Sequence, residues 1–352
     1  MKHSIIVGLG LAGFHYARQL QKHGKDFTII SNTSEGASRN AGGVLNPTIL
    51  KRYTLAWNAE LFFDYALSTY FSFEDEFDTT VFDEIPICRV FNHSSEHNYW
   101  SVSAHSPGLS RFLLPTIHKS APTGLRGVFG YGQLKNVGKL KIKKMLNLFK
   151  EKLKEEEHLE ETFDFKKLKR FKSHVEYQGI LAKQIIFCEG YGLKNNPWFS
   201  YLPLTGSKGE FIHIRCRGLS SEKILKEGVF IVPIEENLYW VGATFSRDDK
   251  TDQPTDDAKQ WLFSKLTTLL DVPFEVVDHK AAVRPTVQDR RPLLGSHPKA
   301  QNLHVFNGLG TRGVLMGPLL AKWLYQFVEE SKELPQEVAI DRFASYFSNP
   351  KK

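Results

Sequence analysis

Residues 3–31 of this chain read HSIIVGLGLAGFHYARQLQKHGKDFTIIS and place Gly8, Gly10 and Gly13 between an apolar strand and an amphipathic helix. Gly8 lets the chain turn sharply, Gly10 lets backbone approach a phosphate, and Gly13 lets the helix pack closely on the strand. The first turn of such a helix presents unpaired N–H groups to an anion. The stretch therefore predicts a dinucleotide-binding βαβ unit with its second strand at 27–30; the alternative is a glycine-rich turn that binds no nucleotide.

One element of this pattern is missing. The end of the second strand usually carries Asp or Glu, whose carboxylate binds the ribose hydroxyls. This chain has Ser31 and Asn32 there, and Glu35 follows three residues too late. Either neutral side chain can hydrogen-bond a ribose, although less strongly than a carboxylate. We expect the departure to affect nucleotide affinity more than the fold.

Length and composition limit the class of protein. A chain of 352 residues can form two lobes. No apolar run approaches the roughly 20 residues that span a bilayer, and the chain enters the glycine loop without room for a signal peptide, so we expect no membrane partner and a cytoplasmic location. The three cysteines are widely spaced without a CxxC pair, so we expect neither a disulfide framework nor a metal site. The oligomeric state stays open.

The basic residues are unevenly distributed. Lys and Arg number 46 against 39 Asp and Glu, and much of the lysine lies between Lys135 and Lys172. A basic face could attract nucleic acid. From Lys139 to Glu161, however, lysine and glutamate are interleaved around apolar residues, which is typical of a solvated helix with one buried stripe. We predict a helix there and keep nucleic-acid binding as a hypothesis.

The middle of the chain contains loops and short strands. RNAGGVLNP at 39–47 is a small-residue loop that suits close backbone approach to a ligand, or else a surface connection. Hairpins are predicted at 175–187, with a turn at 178–179, and at 229–245, with a turn at 235–237. Short strands without helices between them are typical of an antiparallel sheet. We therefore predict a separate, interleaved substrate lobe.

The C-terminal part carries a second glycine loop. Residues 303–314, LHVFNGLGTRGV, lead a strand through glycines into an apolar helix that runs from Leu315 to Val328. Before it stand Arg284, in AVRPT, and Asp289. A strand that enters a glycine loop and opens a helix again predicts a ligand at a helix N-terminus.

Six motifs in order resemble, over essentially the whole chain, the FAD-dependent oxidoreductases of the D-amino-acid oxidase and glycine oxidase superfamily: GLGLAG, RNAGGVLNP, IIFCEGYG, VPIEENLYWVGATF, AVRPTVQDRRPLLG and NGLGTRGVLMGPLLA. The last motif is most similar to the FAD domain of the bifunctional enzymes that build 5-methylaminomethyl uridine in tRNA. The resemblance implies an α/β fold (α+β overall) with a Rossmann-like FAD-binding domain at 1–85, 130–208 and 280–352. An antiparallel-sheet substrate domain would then comprise 86–129 and 209–279.

The resemblance also implies a cofactor and its contacts. The cofactor is FAD, bound non-covalently because neither Cys nor His occurs in the 39–47 and 307–313 loops. The implied FAD contacts are Gly8, Gly10, Leu11, Ala12 and Gly13 at the pyrophosphate, Ser31 and Asn32 near the ribose, Arg39, Asn40, Ala41, Gly42 and Gly43 along the diphosphate and ring, Val175 at the adenine, Gly190 and Gly192, and Gly310, Thr311, Arg312, Gly313 and Val314 at the flavin. A helix N-terminus at the flavin would stabilise negative charge on the reduced ring.

The implied activity is removal of a hydride from a carbon next to an amine nitrogen. Arg284 is the candidate for holding a substrate carboxylate, since a guanidinium fork suits that group; the alternative is a structural ion pair, for instance with Asp289. Tyr239 is a candidate catalytic residue on the 229–245 hairpin, but strand alternation lets only one of Tyr239 and Trp240 face the flavin. Tyr131 is a weaker pocket candidate.

Three functions remain open from the sequence. The first is an amino-acid or amine oxidase or dehydrogenase acting on a small substrate. The second is a tRNA wobble-uridine-modifying oxidoreductase, with tRNA as a partner. The third is a non-catalytic FAD-binding subunit of a dehydrogenase complex. NAD in place of FAD is a further alternative, against which the C-terminal loop argues.

Overall fold

The structure is a computed structural model that describes residues 1–348. Within that range the chain forms eight α-helices and twenty-one strands, which confirms the mixed α/β class. The helices are α1 Leu11–Lys22, α2 Gly36–Arg39, α3 Ala59–Phe77, α4 Glu96–Ala104, α5 Ile142–Glu151, α6 Asp256–Leu269, α7 Gly313–Glu330 and α8 Ala344–Ser348. Among these residues no helix is both long and apolar enough to cross a membrane.

The strands fall into two large and two small sheets. They are β1 Lys2–Val7, β2 Phe27–Ile30, β3 Val44–Leu45, β4 Thr48–Ile49, β5 Thr54–Leu55, β6 Phe82–Asp83, β7 Ile87–Val90, β8 Leu113–His118, β9 Tyr131–Leu134, β10 Gly138–Leu140, β11 His158–Leu159, β12 Leu168–Arg170, β13 Val175–Tyr177, β14 Ile180–Phe187, β15 Ser207–Cys216, β16 Ile224–Lys226, β17 Phe230–Glu235, β18 Leu238–Gly242, β19 Phe274–Arg284, β20 Leu293–His297 and β21 Ala300–Asn307.

The first compact unit, unit 1, consists of Met1–Arg39, Ile142–Ser207 and the described residues from Val283 onward. Its sheet has the order β11-β2-β1-β14-β13-β12, and β21 pairs with β14 in addition. The strands β11, β2, β1, β14 and β21 are parallel, as expected for a Rossmann-like domain. The predicted strands at 5–7 and 27–30 and the helix between them are confirmed.

The parallel strands of unit 1 are buried because helices and loops cover both faces. Ile5, Ile185 and Val305 have no exposed surface, and they belong to one apolar cluster on the sheet. Runs of such β-branched residues are typical of parallel strands buried on both sides. This core fixes the sheet edge at which the glycine loops begin.

The second compact unit, unit 2, consists of Asn40–Lys141 and Lys208–Ala282. Its large sheet has the order β19-β15-β18-β17-β16-β7-β9-β8; from β15 to β8 the neighbouring strands are antiparallel except β16 and β7, which are parallel. One face packs on α6 through residues that include Val241 and Leu262, neither of which is exposed. The predicted antiparallel lobe and its 229–245 hairpin, with Asn237 at positive φ in the turn, are confirmed.

The unit boundaries differ from the predicted domain ranges. The resemblance places residues 40–85, 130–141, 208 and 280–282 in the FAD-binding domain, but they lie in unit 2. The reason is pairing, since β10 joins β3 and β6 in one small sheet and β9 joins β7 in the large one. Which unit supplies which ligand contact stays a prediction.

The helix predicted from Lys139 to Glu161 is shorter in the structure. Only α5, Ile142–Glu151, is helical in the α form, and His158–Leu159 forms β11 beside β2. The Thr28 hydroxyl donates to the Glu156 carbonyl at 2.9 Å, which anchors the segment that follows α5 to β2. Pairing with the sheet edge therefore overrides the local charge pattern. This corrects the predicted helix.

Candidate functional site

The first glycine loop of unit 1 is fixed by close packing. Gly8 has a φ of +100°, which favours glycine, and a Cβ atom there would lie 2.6 Å from the Cys188 carbonyl oxygen. A Cβ atom at Gly13 would lie only 1.9 Å from the Gly8 carbonyl oxygen. Because Gly13 has no Cβ atom, the start of α1 approaches the end of β1 more closely than any other residue at position 13 would allow.

The N-terminus of α1 is available to an anion. Within the described part of the chain, α1 has no acidic residue in its first turn, and Gly10 provides no side chain to cap it. The Ser38 hydroxyl accepts a hydrogen bond from the Leu11 N–H at 3.1 Å. Ser38 is not among the residues predicted from the sequence, although it directly precedes the 39–47 loop. Ser38 therefore joins the candidate site as a polar group over the loop.

The second glycine loop lies at the same edge of the sheet. Val7 at the end of β1 and Val305 near the end of β21 both pair with Phe187 of β14, one on each side. Gly308 and Gly310, with φ of +77° and +54°, then lead into α7. The two strand-to-helix loops therefore flank β14.

The two helix N-termini come together in space. A Cβ atom at Gly313, the first residue of α7, would lie 3.0 Å from Leu11 Cδ1 at the start of α1. Like α1, helix α7 has no acidic first-turn residue and no side-chain cap in the described residues. Two positively polarised helix ends at one edge fit the diphosphate of a dinucleotide. The residues present thus suit FAD on an observation independent of the sequence motifs.

Two arginines of unit 1 are partly buried near this edge. Burial lowers the pKa of the Arg284 guanidinium and of the Arg312 guanidinium below the usual range. Their segments are joined, because the Gly310 N–H donates to the Pro285 carbonyl at 3.1 Å. Asp289, the partner considered for Arg284, forms its ion pair with Arg342 at 2.8 Å. A partly buried cation favours an anionic ligand.

The loop after β14 adds an acidic group that the sequence analysis missed. Glu189 follows Cys188 at the same edge, and its Cα atom would lie 3.6 Å from a Cβ atom at Gly8. Burial raises the pKa of the Glu189 carboxyl to about 7, and a hydrogen bond of 2.7 Å from Asn196 opposes that shift. The Gly190 carbonyl accepts a hydrogen bond from Asn307 at 2.9 Å, which ties this loop to the end of β21.

The structure places Val175 away from these loops. Val175 pairs with Ala182, and Ala182 pairs with Lys2 at the beginning of β1, whereas the glycine loop follows Val7 at its end. Five residues of a parallel strand span roughly 16 Å. Val175 is also fully buried in the core of unit 1. This corrects its predicted place at the adenine.

The first residue of the 39–47 loop belongs to unit 1 and the rest to unit 2, and each part has its own contacts. In unit 1, the Arg39 guanidinium donates to the Asn147 side chain of α5 at 2.6 Å. In unit 2, the Asn40 carbonyl accepts a hydrogen bond from Trp240 Nε1 at 3.2 Å, and a Cβ atom at Gly42 would lie 2.9 Å from the same indole ring. Gly43 has a φ of +72°, and a Cβ atom there would meet the Leu140 carbonyl oxygen at 2.1 Å. Glycine is thus required at 42 and 43 by packing.

Strand alternation on β18 separates the two aromatic candidates. Tyr239 is 1% exposed, its ring lies in the core of unit 2, and its hydroxyl donates to the Leu219 carbonyl at 2.7 Å. Trp240 points to the other face, where its ring stacks on Phe211 with centroids 5.3 Å apart. This corrects the candidate catalytic role of Tyr239, because a core tyrosine cannot contact a ligand. Tyr131 is also buried, stacked on His118.

Ser31 and Asn32 lie at the end of β2, as predicted. Ser31 Oγ is 2.9 Å from His158 Nε2, and the Asn32 amide donates to the Thr162 hydroxyl at 3.2 Å. His158 is a third residue, after Ser38 and Glu189, that is not among those predicted from the sequence. No pattern in the sequence signals it, since the pairing of β11 with β2 brings it there.

The chain matches one protein family and several individual proteins. The family model described as FAD dependent oxidoreductase (DAO) matches residues 3–327. The chain is 24% identical over 369 residues to the tRNA 5-methylaminomethyl-2-thiouridine biosynthesis bifunctional protein MnmC of Idiomarina loihiensis, covering 96% of this chain and 58% of that protein. The chain thus spans little more than half the length of that relative.

Two solved structures have a similar fold at low identity. Glycine oxidase from Geobacillus kaustophilus superimposes with a TM-score of 0.76 at 17% identity, covering 97% of both chains. Iminodiacetate oxidase from Chelativorans sp. BNC1 also gives 0.76, at 18% identity, covering 97% of this chain and 98% of that one. These similarities establish the fold.

Proposed function

Because this chain belongs to the DAO family of FAD-dependent oxidoreductases, we propose that it oxidises the C–N bond of a small amino acid or secondary amine that bears a carboxylate. When bound, FAD accepts the hydride from the carbon next to the nitrogen. The observation that carries the proposal is the position of the partly buried Arg284, next to Pro285, whose carbonyl accepts a hydrogen bond from Gly310 at the second glycine loop.

The role proposed for Arg284 is to bind and orient the substrate carboxylate. Its planar guanidinium can form two parallel hydrogen bonds with a carboxylate, and these bonds are stronger away from water. The backbone of its segment is held on two sides, since the Thr205 N–H donates to the Thr286 carbonyl at 2.8 Å and Gly310 binds Pro285. A clamp on fixed backbone contributes to rate by positioning the reacting carbon.

The rest of the predicted FAD contacts in unit 1 form part of the same proposal. Gly8 to Gly13 and Ser38 would hold the diphosphate at the start of α1. Gly310 to Val314 would meet the flavin at the start of α7.

The first test is anaerobic reduction of the bound flavin. The visible spectrum of the purified protein is recorded before and after addition of glycine, sarcosine, proline or a D-amino acid. Bleaching by one of these amines and not by its N-acetylated form is the expected result. A flavin-loaded protein whose spectrum none of them changes would contradict oxidation of small amines.

The role of Arg284 is tested with Arg284→Ala and Arg284→Lys. Loss of a desolvated charge pair costs about 2–5 kcal/mol, so we expect kcat/KM for the bleaching amine to fall at least about 30-fold. Arg217→Ala, at an exposed position in unit 2, is the matched control. Arg284→Ala with unchanged kcat/KM and unchanged flavin content would refute the carboxylate clamp.

A second candidate function is oxidation of a modified uridine in tRNA. The match to the MnmC protein of Idiomarina loihiensis over 96% of this chain favours it. A uridine that carries a carboxymethylamine would offer Arg284 the same carboxylate. The test is binding of tRNA with that modification at low salt, where electrostatic association is strongest, followed by flavin bleaching. Absence of binding at low salt would exclude this candidate.

A further inference from the structure

The end of β2 is enclosed by the segment that follows α5. The Ser31 N–H donates to the Leu159 carbonyl at 3.1 Å, which extends the pairing of β11 with β2 by one residue. The Ser31 hydroxyl lies 2.9 Å from His158 Nε2. Two separate hydrogen bonds therefore fix Ser31, one through its backbone and one through its side chain.

This position belongs to the edge that carries the first glycine loop. Val7 and Ile30 are register partners, and the Gly8 N–H donates to the Ile30 carbonyl at 2.8 Å. Ser31 is thus one residue beyond the strand end that Gly8 contacts. In a dinucleotide-binding βαβ unit an acidic side chain at this edge binds the ribose.

His158 can act on Ser31 only through a hydrogen bond between uncharged groups at neutral pH. Burial and the nearby Lys150 lower the pKa of the His158 imidazole, and Glu160 opposes them. A neutral imidazole has one donor and one acceptor nitrogen. If Nε2 accepts from the Ser31 hydroxyl, the serine oxygen is free to accept from a ligand; if Nε2 donates, the serine proton is free. In both tautomers the pair orients one ligand-directed hydrogen bond.

We propose that Ser31 and His158 together bind a ribose hydroxyl of the adenosine half of FAD in place of the usual carboxylate, with His158 as the positioning residue. The inference rests on the proposed placement of FAD at the first glycine loop. The pair contributes a hydrogen bond without adding negative charge beside the diphosphate.

The test uses the full-length protein, stripped of flavin and reconstituted, with ADP, 2′-deoxy-ADP and 3′-deoxy-ADP as competitors of FAD. We expect ADP to bind about 3- to 10-fold more tightly than one of the deoxy forms, as for one hydrogen bond. Ser31→Ala and His158→Ala should each bring this ratio close to 1. The double variant should lose no more than either single variant, because the two residues act as one unit.

Three further variants separate positioning from folding. His158→Gln, whose amide can hydrogen-bond Ser31, should restore part of the preference for ADP. Ser34→Ala, an exposed serine of the same loop, is the matched control and should leave the ratio unchanged. Ser31→Thr keeps the hydroxyl and should keep the ratio. Variants that lose more of the preference for ADP should also release FAD faster when the holoenzyme is diluted.

The outcomes separate this inference from the proposed function. Equal binding of ADP and both deoxy forms by the wild type would overturn the inference, as would an unchanged preference in His158→Ala. Neither result affects bleaching by an amine, which is measured without any competitor. Failure of the protein to bind FAD or ADP would overturn the cofactor placement and this inference together.

Discussion

Unit 1 contains two strand-to-helix glycine loops that look alike in sequence and are held by different forces. The loop between β1 and α1 and the loop between β21 and α7 both follow strands that pair with Phe187. In the first, a Cβ atom at Gly13 would lie 1.9 Å from a backbone oxygen. In the second, a Cβ atom at Gly310 would have Thr286 Cγ2 as its nearest neighbour, at 3.6 Å.

At Gly13 the first loop is therefore limited by packing, whereas at Gly310 the second loop is limited by backbone conformation. Gly310 has room for a side chain, but its φ of +54° is in the left-handed region that other residues rarely adopt. The second loop also carries the partly buried Arg312, whereas the first has no charged residue. The first loop offers only backbone to a ligand, and the second adds a cation.

The largest effect is expected at Gly13. Gly13→Ala places a methyl group against the Gly8 carbonyl, which no side-chain rotation can relieve, so α1 must move away from β1. We expect a loss of at least about 3 kcal/mol in the free energy of unfolding, together with loss of bound flavin. Urea unfolding and the flavin absorbance of the purified variant measure the two effects.

The matched control for Gly13 is Gly228→Ala. A Cβ atom there would meet no heavy atom within 4 Å, and its φ is not in the left-handed region. Its stability should change by less than about 0.5 kcal/mol. If Gly13→Ala were as stable as this control and retained flavin, packing would not be what fixes the first loop.

Low pH should destabilise α1 and β21, the elements that hold the two loops. Burial lowers the pKa of His15, on α1, to about 3 and that of His304, on β21, to about 4. The unfolded chain, with its histidines near 6.5, binds more protons below that pH, so stability present above pH 6.5 is lost as pH falls toward 4. Each histidine should contribute a slope of about 1.4 kcal/mol per pH unit.

Substitution separates the two histidines. His304→Asn keeps a group that can bond the Ser296 hydroxyl, which lies 2.8 Å from His304 Nδ1, but it cannot titrate. Unfolding free energies measured from pH 7 to pH 5 should fall less steeply in His304→Asn than in the wild type. His15→Asn should flatten the curve by a similar amount. An unchanged slope in both variants would show that neither histidine is held neutral in the fold.

The smallest effect is expected at Gly310. Gly310→Ala should cost about 1–2 kcal/mol, the price of a left-handed conformation at an alanine. Gly310→Asn should cost less, because asparagine tolerates that conformation. The two variants are compared by urea unfolding with flavin retained. A cost for asparagine equal to or above that for alanine would mean that space limits this loop, as it limits the first.

The sequence predicted these loops and the hairpins because each depends on local chemistry. Gln178 and Gly179 both adopt positive φ in the turn of the 175–187 hairpin, as a two-residue hairpin turn requires. Gly8 and Gly310 likewise adopt a positive φ, a conformation that glycine tolerates and other residues rarely adopt. The candidate site at the ends of β1 and β21 follows from such residues.

The errors came where partners distant in the chain decide the outcome. The charge pattern at 139–161 favours a helix, but His158 and Leu159 instead form a strand that pairs with β2. The resemblance implies that Val175 lies at the adenine, but its register with Ala182 places it at the other end of the sheet. The choice between Tyr239 and Trp240 needed the identity of the core face of β18.

The sequence by itself determined the βαβ start of unit 1, the two glycine loops and the family, because glycine spacing and apolar periodicity act over a few residues. Only the tertiary structure decided that His158 meets Ser31, that Ser38 accepts a hydrogen bond from Leu11 and that Trp240, not Tyr239, faces the 39–47 loop. These contacts join residues 27 to 200 positions apart. They depend on strand pairing and on which face of each strand is buried, and the local sequence determines neither.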